Sequence, residues 1–189
     1  MLQRRFSAAV LILLAIVWIS SSASSQTASS KPLDLNSLSD SDLAKLTIRF
    51  ERMPCYGSCP SYVVTIHGDG HVEYLGKKQV SLIGQAKGSI KVAAVRALLS
   101  EFSKTNFLSI SEDISEANCK GRHCTDMATV VTELIVNGTS HKVTHYYGCG
   151  SAPRALFDLE SNIDKSVNSE QWTGDVSKKG PFGTTCWGD

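Results

Sequence analysis

Residues 52–62 read RMPCYGSCPSY, and the chain is organised around this stretch because it sets two cysteines between two strand-like segments. The two prolines push the residues before them toward extended conformations, so we expect a loop here and not a helix. Gly57 can adopt a positive φ, which lets the chain reverse and brings Cys55 and Cys59 within disulfide distance. We therefore predict a Cys55–Cys59 bridge. Its small ring contributes only about 2 kcal/mol in the chain-entropy model, so its main effect is on local shape.

Apolar and polar residues alternate on both sides of this loop, as is typical of strands with one buried face. The first strand runs into the loop from Leu46, and the second leaves it at Tyr62. A Gly-Asp-Gly turn at residues 68–70 predicts a third strand that forms a hairpin with the second. Residues 80–84 are expected to form a fourth, weaker strand.

A second hairpin is predicted around Asn137-Gly138, the favoured dipeptide of a type I′ turn. It joins residues 129–136 to residues 139–147. Two-residue closure fixes the cross-strand register. The predicted pairs are Leu134 with His141, Thr132 with Val143, and Glu133 with Lys142.

Two amphipathic stretches predict helices. The first has Ser89 as its N-cap and ends at Asn106, and Pro153 opens the second. The resulting order is ββββαββα. It predicts an α+β fold, with a mostly antiparallel sheet of about six strands and two helices packed on one face.

The motif Pro-Cys-Tyr-Gly-x-Cys-Pro-x-Tyr at residues 54–62, followed by Asp69-Gly70 and later by Thr125-Asp126, resembles the DUF6438 family of secreted bacterial domains of unknown function. The resemblance extends over residues 46–165. It implies a fold and an exported location, and it assigns no catalytic residues. The chain departs from the family pattern at Ile114, where an aromatic residue is expected, and in four added cysteines. These are Cys119, Cys124, Cys149 and Cys186.

Residues 1–25 have the layout of a secretory signal peptide: two arginines, an apolar run and then small residues. The run of 12 residues is shorter than the roughly 20 needed to span a bilayer. We expect Sec-dependent export to a secreted or periplasmic location. Residues 26–45 are then predicted to be a flexible Ser-rich lead-in with one helical turn. Residues 46–168 would form a single domain, and residues 169–189 a disulfide-tethered tail.

The charge balance argues against several classes of partner. Removing the two arginines of the signal from the 19 Lys and Arg leaves 17, against 18 Asp and Glu. A nearly neutral chain gives no electrostatic case for nucleic acid or an acidic membrane surface. After signal cleavage we expect no stable membrane insertion. The expected partner is an extracytoplasmic protein or a small molecule.

Six cysteines in an exported chain indicate disulfides, with 15 connectivities that the sequence leaves open. The pairing we favour joins Cys149 to Cys186, which tethers the tail and leaves Cys119 to pair with Cys124. The rival pairing joins Cys119 to Cys149 and pulls the polar loop at residues 111–127 onto the end of the second hairpin.

Few residues are candidates for chemistry. His141 and His145 have a metal-like spacing, but four residues along a strand span about 13 Å, so no metal site and no cofactor is predicted. Thr125, Asp126 and His145 are candidate ligand contacts.

Three classes of function remain. The leading one is a non-catalytic binding or structural module. The alternatives are a thiol-disulfide redox protein that uses Cys119/Cys124 or Cys55/Cys59, and a hydrolase or metalloenzyme with a site near Asp126.

Overall fold

The computed structural model describes residues 33–175, and their centre is one seven-stranded sheet. The strands are β1 (Thr47–Arg52), β2 (Ser61–His67), β3 (His71–Lys78), β4 (Gly84–Ser89), β5 (Asp113–Ile114), β6 (Thr129–Val136) and β7 (Thr139–Tyr146). Their spatial order is β4-β3-β2-β1-β6-β7-β5, and every pair is antiparallel except the parallel β5–β7 pair. The predicted α+β class is confirmed. The count is seven because β5 forms in the polar loop, where no strand was expected.

The centre of the sheet is β1, which pairs with β2 on one side and with β6 on the other. Ile48 lies opposite both Ile66 and Leu134, and all three side chains are buried. The predicted register of the β6–β7 hairpin is confirmed at all three pairs. Asn137 and Gly138 both have positive φ, as a type I′ turn requires. The alternation of apolar residues therefore produces one buried face, which we call the inner face.

Two long helices cover the inner face: α2 (Val92–Lys104) and α3 (Arg154–Val167). Pro153 precedes α3 as its N-cap, as predicted. The apolar residues of the two amphipathic stretches are buried, and all belong to one core with the strands. They are Val95, Leu98, Leu99 and Phe102 in α2, and Leu156, Leu159, Ile163 and Val167 in α3.

The edge of the sheet differs from the prediction. The fourth strand was expected at residues 80–84, but β4 begins at Gly84, and the preceding residues are a loop. The backbone N–H groups of Ser81 and Leu82 donate to the carbonyls of Thr173 and Trp172, so they are not available to a strand pair. Ser89 is consequently the last residue of β4, not a helix N-cap, and Lys91 takes the position before α2.

The lead-in was predicted to be flexible, and its described part, residues 33–45, contributes three buried leucines to the core. The expected helical turn is present as α1 (Asp40–Leu43), with a capping box between Ser39 and Asp42. Upstream of it, Leu35 and Leu38 are buried in the core. A 3₁₀ turn at Leu35–Ser37 packs beside α2, and Arg96 donates to the Leu38 carbonyl at 3.1 Å. This segment therefore closes one side of the core.

The chain continues beyond α3 into a short helix, α4 (Glu170–Thr173). The Trp172 ring stacks on Tyr74 of β3, with ring centroids 4.9 Å apart. Cys186 and the rest of the predicted tail from residue 176 onward lie outside the described residues, as does the predicted signal peptide at residues 1–25. Between residues 33 and 175, no helix has the length and apolar character needed to cross a membrane.

Candidate functional site

The loop between β1 and β2 forms the predicted corner. Cys55 and Cys59 are bonded, with their Cα atoms 5.5 Å apart. The Gly57 N–H donates to the Cys55 carbonyl at 2.9 Å, which makes a three-residue turn centred on Tyr56. Cys59 is buried, whereas Tyr56 is 89% exposed, more than any other large apolar residue described. The disulfide ring is thus anchored on the core and displays one aromatic side chain in solvent.

The loop between β5 and β6 contacts this corner. The Tyr56 N–H donates to the Asp126 carbonyl at 3.3 Å, and the Thr125 hydroxyl donates to the Asp126 carboxylate at 3.2 Å. Asp126 has a φ of 67°, a left-handed conformation that costs a residue other than glycine about 1 kcal/mol. The predicted contact residues Thr125 and Asp126 are both exposed and lie beside Tyr56.

The loop after β7 is joined by a disulfide to the loop between β5 and β6. Cys119 bonds to Cys149 across 30 residues, with a Cα separation of 5.5 Å. The favoured Cys149–Cys186 and Cys119–Cys124 pairings are therefore wrong, and the rival Cys119–Cys149 pairing is confirmed. The physical reason is an antiparallel bridge between His123 and Cys149, which lays the polar loop along the end of β7. Cys124 is also disulfide-bonded.

The Cys119–Cys149 bond rules out Cys119 and Cys124 as a redox pair. Since Cys119 bonds to Cys149, Cys119 and Cys124 cannot exchange as a dithiol couple with each other. The other candidate pair, Cys55 and Cys59, is joined as a disulfide whose Cys59 side is buried.

The Tyr146 hydroxyl holds the loop between β5 and β6 in place through two hydrogen bonds. It accepts a hydrogen bond from the Met127 N–H at 3.1 Å and donates to the Cys124 carbonyl at 2.8 Å. Burial raises the pKa of Tyr146, so the donating hydroxyl is retained at neutral pH. Gly148 passes so close that a Cβ there would lie 2.1 Å from the Cys124 carbonyl oxygen. Residues 53–59, 119–127 and 148–150 are therefore held together by two disulfides and by hydrogen bonds, and we call their exposed side the loop platform.

His145, the third predicted contact residue, lies apart from the loop platform. Its side chain has no exposed surface, and its Nδ1 lies 3.0 Å from each carboxylate oxygen of Glu160 in α3. Phe157 packs edge-on against the imidazole, with ring centroids 4.3 Å apart. The structure therefore brings Thr125 and Asp126 together in the loop platform and places His145 in the core.

A buried polar network continues from this pair, and sequence reasoning missed it. Arg52, at the end of β1, bonds to the Asp164 carboxylate at 2.7 and 2.8 Å and to the Tyr147 hydroxyl at 3.0 Å. Tyr62 donates to the other oxygen of Asp164 at 2.5 Å. We call Arg52, Tyr62, His145, Tyr147, Glu160 and Asp164 the buried network.

The pKa shifts in the buried network indicate which of its groups are charged and which are neutral. Burial alone would lower the pKa of Arg52, but the Asp164 carboxylate raises it, so the guanidinium stays charged. Burial raises the pKa of Tyr62 and of Tyr147 well above the usual range. One sequence signal could have revealed the network: Arg52 continues the buried alternation of Ile48 and Phe50.

A family model described as a domain of unknown function matches residues 46–167, more than half of the chain. The chain belongs to the DUF6438 family. The matched DUF6438 region contains the whole loop platform and the whole buried network. No curated protein is matched by the sequence.

These two parts of the DUF6438 domain differ in what they can do chemically. The buried network has Arg52 and Glu160 inside the core, so it joins the sheet to α3. The loop platform presents a phenol, a hydroxyl and a carboxylate to solvent on a cross-linked backbone. Within residues 33–175, no group of three or more His, Cys, Asp or Glu side chains could hold a metal ion.

Proposed function

We propose that the protein is an exported, non-catalytic binding module that docks onto an extracytoplasmic partner protein through the loop platform. The observation that carries the proposal is Tyr56, a nearly fully exposed aromatic residue at the tip of a disulfide-closed ring. A soluble domain gains nothing for its own folding from such a side chain, because apolar surface left in water contributes no burial energy.

The rigidity of the loop platform favours binding. Tyrosine supplies a large contact area with only two rotatable side-chain bonds, and aromatic anchors of this kind dominate many protein interfaces. The Cys55–Cys59 bond and the hydrogen bond to Asp126 order the backbone before any partner arrives. Less conformational entropy is then lost on association. The left-handed backbone at Asp126 is a further sign of a constrained surface.

The disulfides support export. The Cys55–Cys59 and Cys119–Cys149 bonds lie within the described residues, and such bonds persist in oxidising compartments. Together with the signal-like residues 1–25 they support a secreted or periplasmic location. We propose that the domain extends from the lead-in through α4, since both segments contribute to one core.

Site-specific photocrosslinking tests the docking role. A benzophenone amino acid replaces Tyr56 in the full chain, which is produced in cells that export it. The control places the same group at Ile83, which is 64% exposed in the loop just before β4. We expect a discrete crosslinked protein at position 56 and none at position 83. Equal crosslinking at both positions, or none at position 56, would contradict the proposal.

Affinity measurements with the crosslinked partner then quantify the role of Tyr56. Hot-spot aromatic residues contribute about 2 kcal/mol or more, which corresponds to roughly 30-fold in affinity. We expect Tyr56→Ala to weaken binding by about that factor and Ile83→Ala to leave it unchanged. A Tyr56→Ala chain that binds as tightly as the parent would remove Tyr56 as the anchor.

A further inference from the structure

Cys124 is disulfide-bonded, and its partner is none of the other four cysteines within residues 33–175. Those four are bonded to one another in the two disulfides described above. The sequence has six cysteines, and the one that remains is Cys186. Elimination therefore leaves Cys186 as the only partner that the chain itself can supply.

Cys124 is held by backbone hydrogen bonds near the surface of the loop platform. Its N–H donates to the Gly148 carbonyl at 2.9 Å, and its carbonyl accepts from the Tyr146 hydroxyl at 2.8 Å. Cys124 is half-buried, whereas Cys59 and Cys149 are 1% and 2% exposed. A segment that arrives across the surface can therefore reach Cys124, which the core does not enclose.

The described part of the chain ends at the same end of the sheet as Cys124. The Leu82 N–H, in the loop after β3, donates to the Trp172 carbonyl of α4 at 2.8 Å. The end of β3 pairs with the start of β2, so this loop and α4 lie beside the corner at residues 53–59. The start of β6 pairs with the end of β1, so residues 119–127 lie at that end of the sheet as well.

The chain between Asp175 and Cys186 is long enough to cross the strand ends. Cys124 bonds to the loop after β7, and β7 is four strand positions from β3. At about 4.8 Å per strand, the two strands are about 19 Å apart. Cys186 follows Asp175 by eleven positions, which reach about 36 Å when extended. The segment therefore covers the distance with length to spare.

We propose that Cys124 and Cys186 form a disulfide that ties residues 176–189 across the strand ends to the loop platform. On formation the two thiols lose two protons and two electrons, which pass to the disulfide of a thiol-oxidising protein in the exporting compartment and convert it to a dithiol. The occupant of this side of the loop platform is thus the C-terminal segment of the same chain and not a separate subunit. Trp187 adjoins Cys186 in sequence, so the bond also brings an indole to the surface that displays Tyr56.

Peptide mapping of the full chain tests the bond directly. The exported protein is blocked with N-ethylmaleimide and digested without reduction, at mildly acidic pH to suppress thiol exchange. Trypsin cleaves after lysine and arginine, which puts Cys124 in residues 123–142 and Cys186 in residues 180–189. We expect mass spectrometry to find these two peptides joined and reduction to separate them. Cys186 that carries the maleimide, or Cys124 joined to any other cysteine, would overturn the inference.

A serine variant shows which thiol the bond had occupied. Cys186→Ser should contain a single thiol, at Cys124, that reacts with N-ethylmaleimide in denaturant, whereas the parent chain should contain none. The peptides of Cys119 and Cys149 should stay joined in this variant, which shows that the rest of the pairing is intact. If Cys124 is still bonded within the Cys186→Ser monomer, the inference is wrong.

Cleavage of the native chain tests the tie to the loop platform. After trypsin cuts at Lys179, residues 180–189 should stay attached to the parent until a reductant is added, whereas the same cut in Cys186→Ser should release them. Release from the non-reduced parent would refute the tie. Tyr56→Ala should retain the segment as the parent does, so failure of the docking role at Tyr56 is distinguishable from failure here.

Discussion

Replacing Arg52 by methionine should lower the free energy of unfolding by about 3 kcal/mol or more. The Arg52 side chain is 6% exposed and bonds to Asp164 twice and to Tyr147 once. Its guanidinium also lies 5.0 Å from the centre of the Phe50 ring. Removal of one partner of a buried ion pair typically costs about 3 to 5 kcal/mol, because the other charge is left without compensation. Asp164 retains some solvent contact, which places the expected loss at the lower end of that range.

Urea denaturation provides the assay. A domain of this size has a slope of about 2 kcal/mol per molar urea, so a loss of about 3 kcal/mol moves the midpoint by about 1.5 M. Arg49→Met is the matched control. Arg49 lies on the same strand with its side chain 37% exposed on the opposite face, and its removal should cost less than about 1 kcal/mol.

Asp164, the ion-pair partner of Arg52, provides a second comparison. The double variant Arg52→Met with Asp164→Leu should be more stable than Arg52→Met alone, because no uncompensated buried carboxylate remains. If Arg52→Met and Arg49→Met shift the midpoint equally, the buried network does not hold α3 to the sheet as described. A double variant that is less stable than Arg52→Met alone would also contradict the reasoning.

Three further predictions concern stability. Replacing Cys119 and Cys149 by serine should cost about 4 kcal/mol in the chain-entropy model, measured by urea denaturation, and a loss below about 1 kcal/mol would show that the bridge constrains little. Gly68→Ala should lower the melting temperature by several degrees, since the added Cβ would lie 1.7 Å from the Leu43 carbonyl oxygen. An unchanged melting temperature would mean that the backbone of this turn shifts to accommodate the Cβ without loss of stability. Burial alone would raise the pKa of Glu51, but hydrogen bonds from Lys77 and Arg49 outweigh it and lower that pKa below its usual value. The stability from Glu51 is therefore present above the ordinary glutamate pKa and is lost as the pH falls from there through the lowered pKa of the folded state. Glu51→Gln should therefore flatten the acid side of the stability profile, and an unaltered acid limb would contradict this.

Much of the fold could be predicted because its strands have a clear period. In β1 the buried positions follow every second residue, and Asn137-Gly138 fixed the β6–β7 register through its turn geometry. The strand β4, with sequence GQAKGS, was misplaced because it contains no β-branched or aromatic residue. It is held by pairing with β3 and by contacts from the distant Trp172, which local sequence does not encode.

The candidate site was predicted only in its local part. The Cys55–Cys59 ring could be derived because its prolines and Gly57 act within a few residues. The Cys119–Cys149 bond depends on how the polar loop lies along the end of β7, and no spacing rule specifies that. In the buried network, the hydrogen bonds of Arg52 and Tyr62 join residues 95 or more apart in sequence, as between Arg52 and Tyr147.

The packing of the lead-in bears on where a DUF6438 polypeptide can begin and end. The family match spans residues 46–167, but Leu35, Leu38, Leu43 and Trp172 lie outside it and are buried in the core. Each such side chain contributes roughly 1.5 to 3 kcal/mol when removed from water, so together they rival the 5 to 15 kcal/mol that holds a typical domain folded. A polypeptide trimmed to the matched span would therefore expose an apolar flank beside α2 and would be prone to self-association. A relative without these leucines would have to cover that flank with a segment of its own or with a neighbouring subunit.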